Sequence, residues 1–203
     1  MTVHGILVAA GRGERFGGPK HAALLRGRPL WAWAEEALRR GGVAEVVLVG
    51  DLPGGVPGGL RRRDSVWAGL EALPASASHV LVHDAARPLA TPELVRRVID
   101  RLLSGGVDAV VPVVPVRDTL KRVGDGWVVE TVERRGLAGA QTPQGFKVEV
   151  LRAAHAAGDD DDAGDDALLV ERIGGSVACV EGEVANLKVT FPGDLLLAEA
   201  WLP

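Results

Sequence analysis

The chain has 203 residues, of which 47% are hydrophobic and 25% charged, with a formal net charge of −4. This is the composition of a globular protein with room for one large domain and a substantial core, and it lacks the basic excess that general nucleic-acid or membrane-surface binding needs. Cys179 is the only cysteine, which excludes an intramolecular disulfide framework and a cysteine-based zinc site, while the absence of a basic leader and of any apolar run long enough to span a bilayer points to the cytoplasm.

The first strand ends in Ile6-Leu7-Val8 and is followed by Ala9-Ala10-Gly11-Arg12-Gly13-Glu14-Arg15-Phe16-Gly17-Gly18-Pro19-Lys20. From Pro29 to Leu38 the apolar spacing suits a helix. Strand, glycine-rich loop and helix in this order suit phosphate binding. Glycines remove the Cβ atoms that keep backbone N–H groups from an anion, and Arg12, Arg15 and Lys20 bring positive charge. Neither standard phosphate motif fits. Gly11, Gly13 and Gly17 are one residue too widely spaced for the dinucleotide fingerprint, and Pro19-Lys20-His21 follows Gly18 where a P-loop needs Lys-Ser/Thr. Taken alone, the glycines fit an ordinary strand-to-helix turn equally well.

Glu45 to Gly50 reads as the second strand, and Asp51 to Gly59, rich in Gly and Pro, as a loop. A helix is expected from Asp64 to Leu73 with Asp64 or Ser65 as its N-cap. His79 to Asp84 is a third strand. Thr91 caps a helix that has Pro92 at its first position and runs to about Leu103. Val107 to Val114 is a fourth strand. Strands alternating with helices predict an α/β fold, a Rossmann-like and mostly parallel sheet with helices on both faces.

From Arg117 to Arg135 the pattern changes to two extended runs around Gly124-Asp125-Gly126. This is a β-hairpin arm, a subdomain at about 115–138 of a single domain spanning 1–203. The arm fits packing against a second subunit and fits folding back onto its own sheet. Ala140 to Phe146 returns to the core, and a helix follows from about Lys147 to Ala157. Asp159 to Asp162 reads as a solvated acidic loop. Asp165-Asp166 opens another helix, Ser176 to Val180 and Leu187 to Thr190 are strand-like, and Pro192 opens the last helix.

The second chemical signal is His83-Asp84-Ala85-Ala86-Arg87-Pro88, at the carboxyl end of a strand, where open α/β sheets bind ligands. Asp84 is placed to face a metal–phosphate complex and Arg87 to hold a second phosphate. His83 and Asp84 do not form a hydrolase pair, because neighbouring strand residues point to opposite faces and no Gly-x-Ser-x-Gly is present.

Ala9-Ala10-Gly11-x-Gly13-x-Arg15 with Pro19-Lys20 resembles the signature loop of nucleotidyltransferases that activate sugar and polyol phosphates. His83 to Pro88, Arg117-Asp118-Thr119-Leu120-Lys121-Arg122, Ala140-Gln141-Thr142-Pro143-Gln144-x-Phe146 and Asn186-Leu187-Lys188-Val189-Thr190 narrow the resemblance, over nearly the whole chain, to the methylerythritol phosphate cytidylyltransferases. That resemblance implies CTP and 2-C-methyl-D-erythritol 4-phosphate as substrates, Mg²⁺ or another divalent cation, and a homodimer joined through the arm. It implies Arg15, Lys20 and Lys188 as catalytic cations. Ala9, Ala10, Gly11, Gly13, Gly59 and Ser65 would meet the nucleotide. Asp84, Arg87, Thr119, Arg134 and Thr142 would meet the polyol phosphate, Asp84 serving also as a metal ligand alongside the CTP phosphates. Thr119 and Arg134 would reach into the partner's site. The chain departs from the family pattern at Gly164, where a threonine is usual, and at Leu60, where an acid is common; Arg61-Arg62-Arg63 is unusually basic. A relative acting on ribitol 5-phosphate, a molybdopterin nucleotidyltransferase and a catalytically silent nucleotide-binding module are the competing readings.

Overall fold

The computed structural model describes residues 2–11, 13–18, 23–158 and 164–202. Arg12, Lys20 and the Asp159 to Asp162 run lie outside the described residues. In chain order, β1 (Val3–Val8) is followed by a single 3-10 turn (Glu14–Phe16) and a small ribbon of β2 (Leu24–Leu25) and β3 (Arg28–Pro29). Next come α1 (Leu30–Arg40), β4 (Val46–Val49), α2 (Arg62–Glu71), β5 (His79–Asp84), α3 (Pro92–Leu103) and β6 (Ala109–Pro115). The arm is β7 (Leu120–Gly124) and β8 (Trp127–Val132). Then β9 (Ala138–Ala140), β10 (Gln144–Lys147), α4 (Val148–Ala156), α5 (Asp166–Arg172), β11 (Val177–Glu181) and α6 (Gly193–Trp201) complete the chain.

The main sheet has the order β11-β6-β10-β5-β1-β4, with β9 on the end of β6. β1 is parallel to β4 and β5, and β11 is parallel to β6. Alternation along the central strands feeds two cores. Ile6, Val80 and Val82 face Val66 and Leu70 of α2 and Leu151 of α4; Leu7 and Leu81 face Leu38 of α1 and Val95 and Val98 of α3. Burial on both faces explains why these strands are continuous apolar runs rather than alternating ones.

Three local expectations change. β10 is an antiparallel strand inserted between β5 and β6. Leu187 to Thr190 joins no strand ladder and is tied down at the Val189 N–H, which donates to the Ala86 carbonyl at 2.8 Å. α2 begins two residues before the expected start. Asp64 does not cap it but sits at its third position, where its carboxylate accepts from the Arg61 backbone N–H at 3.1 Å and from the Arg61 guanidinium. An acid there satisfies the same free N-terminal donor that a cap would.

At the edge far from the strand ends that carry His83 and Asp84, Asp108 ties β6, β10 and β11 together. Its carboxylate accepts from the Ser176 N–H and hydroxyl and from Lys147 Nζ, each at 2.9 Å. The Ser176 backbone donor first, then Lys147 and the Ser176 hydroxyl, hold its pKa down at about 2. The folded pKa lies below the unfolded one, so this stabilisation is present above the ordinary aspartate range and is lost as pH falls through about 2. Asp108→Asn should therefore lower the melting temperature at neutral pH and flatten its decline between about pH 4 and pH 2. Melting curves of equal slope in the two proteins across that window would refute the assignment.

Candidate active site

Val8 and Asp84 are register partners at the carboxyl ends of adjacent β1 and β5, near the middle of the sheet. The chain leaving β1 supplies Ala9, Ala10 and Gly11, the chain leaving β5 supplies Asp84, Ala85 and Ala86, and the entry to α2 supplies Gly58 to Arg62 and Ser65. Together with Val8 and Lys188 they enclose a cavity of about 420 Å³. A second cavity of about 410 Å³ lies between Arg87, Ala140 to Thr142, Gln144, Gly164, Asp165 and Leu168. Arg62, Asp84 and Lys188 line both and form the junction between them.

That junction is a chain of linked charges, with Asp84 and Asp166 buried, Arg62 partly buried and Lys188 at the exposed end. Lys188 Nζ lies 2.6 Å from one Asp84 oxygen, and Arg62 Nε donates to the other at 3.1 Å. Arg62 Nη1 donates to Asp166 at 2.6 Å, and the second Asp166 oxygen is 3.1 Å from His155 Nε2. Trp67 stacks on the His155 ring at 6.0 Å. Burial opposes ionisation of Asp84, but Arg62 and Lys188 outweigh it and hold its carboxyl far below the usual carboxylate range. Burial likewise pulls Arg62 down, and Asp84 and Asp166 more than restore it, so its pKa is raised.

Behind the junction the opposite face of β5 is pinned. The Thr142 hydroxyl accepts from the Asp84 backbone N–H at 3.1 Å and shares a second hydrogen bond with His83 Nδ1 at 2.8 Å. Burial, assisted by Arg87 and Arg62 against the opposing Asp84, pushes the His83 pKa down to about 3. Arg87 Nη1 donates to the Asn186 carbonyl at 2.7 Å, and Asn186 Nδ2 donates to the Thr142 carbonyl at 2.9 Å. These bonds lock the segment carrying Lys188 against the ends of β5 and β10.

The chain matches the family model for 2-C-methyl-D-erythritol 4-phosphate cytidylyltransferase (IspD) over residues 3–203. The protein of that name from Frankia casuarinae is 46% identical over 217 residues, covering 98% of this chain and 81% of its own. The chain belongs to this family. The relative from Saccharopolyspora erythraea is 43% identical across the whole of both chains. A crystal structure of the family member from Thermus thermophilus superposes with a TM-score of 0.81 at 40% identity, covering 96% of each chain.

The residues expected from the family divide into three groups. Ala9, Ala10, Gly11, Gly59 and Ser65 line the first cavity, Arg87 and Thr142 the second, and Asp84 and Lys188 both. Arg15 stands exposed on the 3-10 turn outside both linings, and Gly13, partly buried at the turn's N-cap, also lies outside them. Thr119 and Arg134 are exposed at the base of the arm, where the Arg134 guanidinium donates to the Arg117 carbonyl. Lys20 is among the residues not described. Two hydroxyls do local work. Ser65, fully buried, accepts from the Gly59 N–H at 3.1 Å and donates to the Arg61 carbonyl, while Thr142 serves His83 and Asp84. The residue that family reasoning left out is Arg62, together with Asp166 and His155 behind it.

The Thr142 geometry carries its own prediction. Thr142→Val strands the Asp84 N–H and His83 Nδ1 without partners in a dry site, at a cost of about 1–3 kcal/mol of stability. Thr142→Ser keeps both bonds and should stay within about 1 kcal/mol of the parent. Chemical denaturation of the two variants decides it, and equal losses would refute the hydroxyl's role.

Proposed function

We infer that this chain transfers the cytidylyl group of CTP to 2-C-methyl-D-erythritol 4-phosphate, releasing pyrophosphate, as a step in isoprenoid precursor synthesis. The observation that carries this reading is the pair of similar-sized cavities meeting at Arg62, Asp84 and Lys188. Two phosphate-bearing reactants need such an arrangement, and membership of the family supplies their identities. An oxygen of the polyol phosphate attacks the α-phosphorus of CTP, and the bond to pyrophosphate breaks as the new P–O bond forms. No protein nucleophile takes part. The protein's contribution is alignment of the two anions and compensation of charge in the transition state.

In this reading the Ala9 to Gly11 backbone, Gly59 and Ser65 hold the nucleotide, with Gly13 in the same loop. Asp84, Arg87 and Thr142 shape the polyol side, Thr142 by fixing Asp84. Lys188 orients the acceptor phosphate, and Arg15 and Lys20 meet the triphosphate. Asp84 is the only carboxylate lining the first cavity among the described residues, and both its oxygens are engaged by cations. No group of three or more His, Cys, Asp or Glu is placed to hold an ion among the described residues. These donors would fit a divalent ion delivered with CTP, for which Asp84 is the protein carboxylate that would stand nearby. Such an ion would supply positive charge to offset that of the leaving pyrophosphate.

The arm supports a homodimer. β7 and β8 pair as a separate two-stranded sheet, and Trp127 is 78% exposed, with Val123, Val128 and Val129 also exposed. A second copy covering these side chains would bring Thr119 and Arg134 to its neighbour's polyol side. The chain works as one catalytic unit with the arm as a subdomain, and the single cysteine suits the reducing cytoplasm. No helix among the described residues is long and apolar enough to cross a membrane. The decisive assay is pyrophosphate release with Mg²⁺, each nucleoside triphosphate and a panel of polyol phosphates. Turnover confined to CTP and methylerythritol phosphate is expected. Turnover with ribitol 5-phosphate alone, or CTP binding with no turnover on any acceptor, would overturn the reading.

A further inference from the structure

We propose that Arg62 is a positioning residue that allows Lys188 to pass from Asp84 to the phosphate of the acceptor, by remaining behind as the counter-ion of Asp84. The inference rests on the proposed function and adds a part to that site. Asp84 is buried and carries one cation on each oxygen, Lys188 at 2.6 Å and Arg62 at 3.1 Å. A lysine bonded to a carboxylate has little free charge for an incoming phosphate, and one that leaves a buried carboxylate unpaired does so at a large penalty. Arg62 removes that penalty. Its planar fork reaches Asp84 and Asp166 at once, which a lysine's point charge could not do. Asp166 is itself fully buried and held on its other oxygen by His155, under Trp67, so the guanidinium is anchored from behind and stays in place.

The charge count gives the direction of each test. Arg62, Lys188, Asp84 and Asp166 sum to zero, so within this group Lys188 has no charge to spare for the acceptor until it leaves Asp84. Arg62→Gln makes the sum negative and takes away the remaining counter-ion, so Lys188 stays on Asp84. Asp166→Asn makes the sum positive, while the carboxamide still presents its oxygen to Arg62 and its NH₂ towards His155 Nε2. An ordinary structural role predicts that both variants weaken the site. The exchange predicts opposite signs.

The experiment is calorimetric titration of methylerythritol phosphate into full-length protein holding a non-hydrolysable CTP analogue, with circular dichroism to verify folding. Arg62→Gln should weaken acceptor binding about tenfold and CTP-analogue binding less than about twofold. In a Lys188→Gln background the same change should alter acceptor binding less than about twofold, because the group it acts through is gone. Equal losses in both backgrounds, or parallel loss of nucleotide and acceptor affinity, would overturn the proposal. Asp166→Asn gives an answer even if Arg62→Gln does not fold. Tighter acceptor binding supports the exchange, and unchanged or weaker binding overturns it. Pyrophosphate release by the wild type is measured alongside. Its absence overturns the functional reading and this inference with it, whereas wild-type turnover with same-sign variants overturns the inference alone.

Discussion

Lys188→Gln should lower kcat/KM for the acceptor by about 10²–10³-fold while CTP binding changes only a few-fold, the loss expected when one preorganised charge-stabilising group is removed. Lys188 lines both cavities and is the only lysine in either lining among the described residues. Its backbone is held at the junction by the Val189 N–H to the Ala86 carbonyl and by Arg87 to the Asn186 carbonyl, which leaves only the side chain to move. Glutamine keeps most of the length and a donor but carries no charge, so the variant isolates the electrostatic part. Arginine would keep the charge and lose the compact fit to Asp84. Initial rates of pyrophosphate release with both substrates varied give the answer, and kcat/KM within about fivefold of wild type would exclude Lys188 from the reaction. The variant carries a second signature. With one cation gone, the folded pKa of Asp84 climbs towards its ordinary value. The stability that its ionisation contributes is lost as pH falls through the folded pKa, so acid unfolding of the variant should begin at higher pH than in the parent.

What the residues alone disclosed, and what they hid, follows the range of the interactions concerned. β5 and α3 were legible because their signals are local, an apolar run ending at Asp84 and Thr91-Pro92 ahead of the helix. The Thr91 hydroxyl indeed accepts from the Leu94 N–H at 3.1 Å. β10 was not legible. Gln144-Gly145-Phe146-Lys147 has no strand pattern of its own, and it becomes a strand because β5 and β6 leave a slot that Phe146 fills with a fully buried ring. Leu187 to Thr190 failed in the opposite direction. Its alternation resembles a strand, but the Leu187 N–H turns back to the Ala185 carbonyl and the Val189 N–H reaches Ala86 without forming a ladder, and the segment serves to carry Lys188.

The site divides in the same way. The glycine-rich loop and the strand-end Asp84 announce phosphate chemistry from their immediate neighbours. Arg62 sits in a run of three arginines at a helix start, which reads as a solvated basic patch. Its burial depends on Asp84, 22 residues away, and Asp166, 104 residues away. Charged residues go inside only where partners meet them, and those partners come together only in the fold. Thr142 shows the converse. The resemblance implied a contact with the polyol phosphate, and Thr142 lines the second cavity, while the bonds that occupy its hydroxyl could be seen only once β5 and the 140–143 segment were side by side.

The second large effect is expected at Gly58. A Cβ added there would lie 2.1 Å from Ala10 Cβ and 3.0 Å from Ser65 Oγ, so Gly58→Ala cannot be accommodated without movement. Ala10 has no room to retreat. Its backbone is backed by Gly50, whose own φ of +137° and lack of a side chain allow approach so close that a Cβ there would stand 2.9 Å from the Ala9 carbonyl carbon. Ser65 is fully buried, and its hydroxyl is held between the Gly59 N–H and the Arg61 carbonyl. The strain is therefore relieved by pushing Ala10 into the first cavity or by driving the 58–59 segment outward, and either change spoils the wall that receives the nucleotide. Overpacking of about 1–3 kcal/mol delivered at that wall corresponds to a loss of CTP affinity of roughly 10- to 100-fold. Acceptor contacts, on the far side of Arg62 and Asp84, should be spared in direct binding. Gly193→Ala is the matched control, since an added Cβ there meets nothing within 4 Å and the residue opens α6, outside both cavity linings. Calorimetric titration of CTP into the two variants separates the outcomes. A Gly58→Ala protein that binds CTP as tightly as Gly193→Ala would show that the nucleotide does not rest on Ala10, and the first cavity would then have to be reassigned.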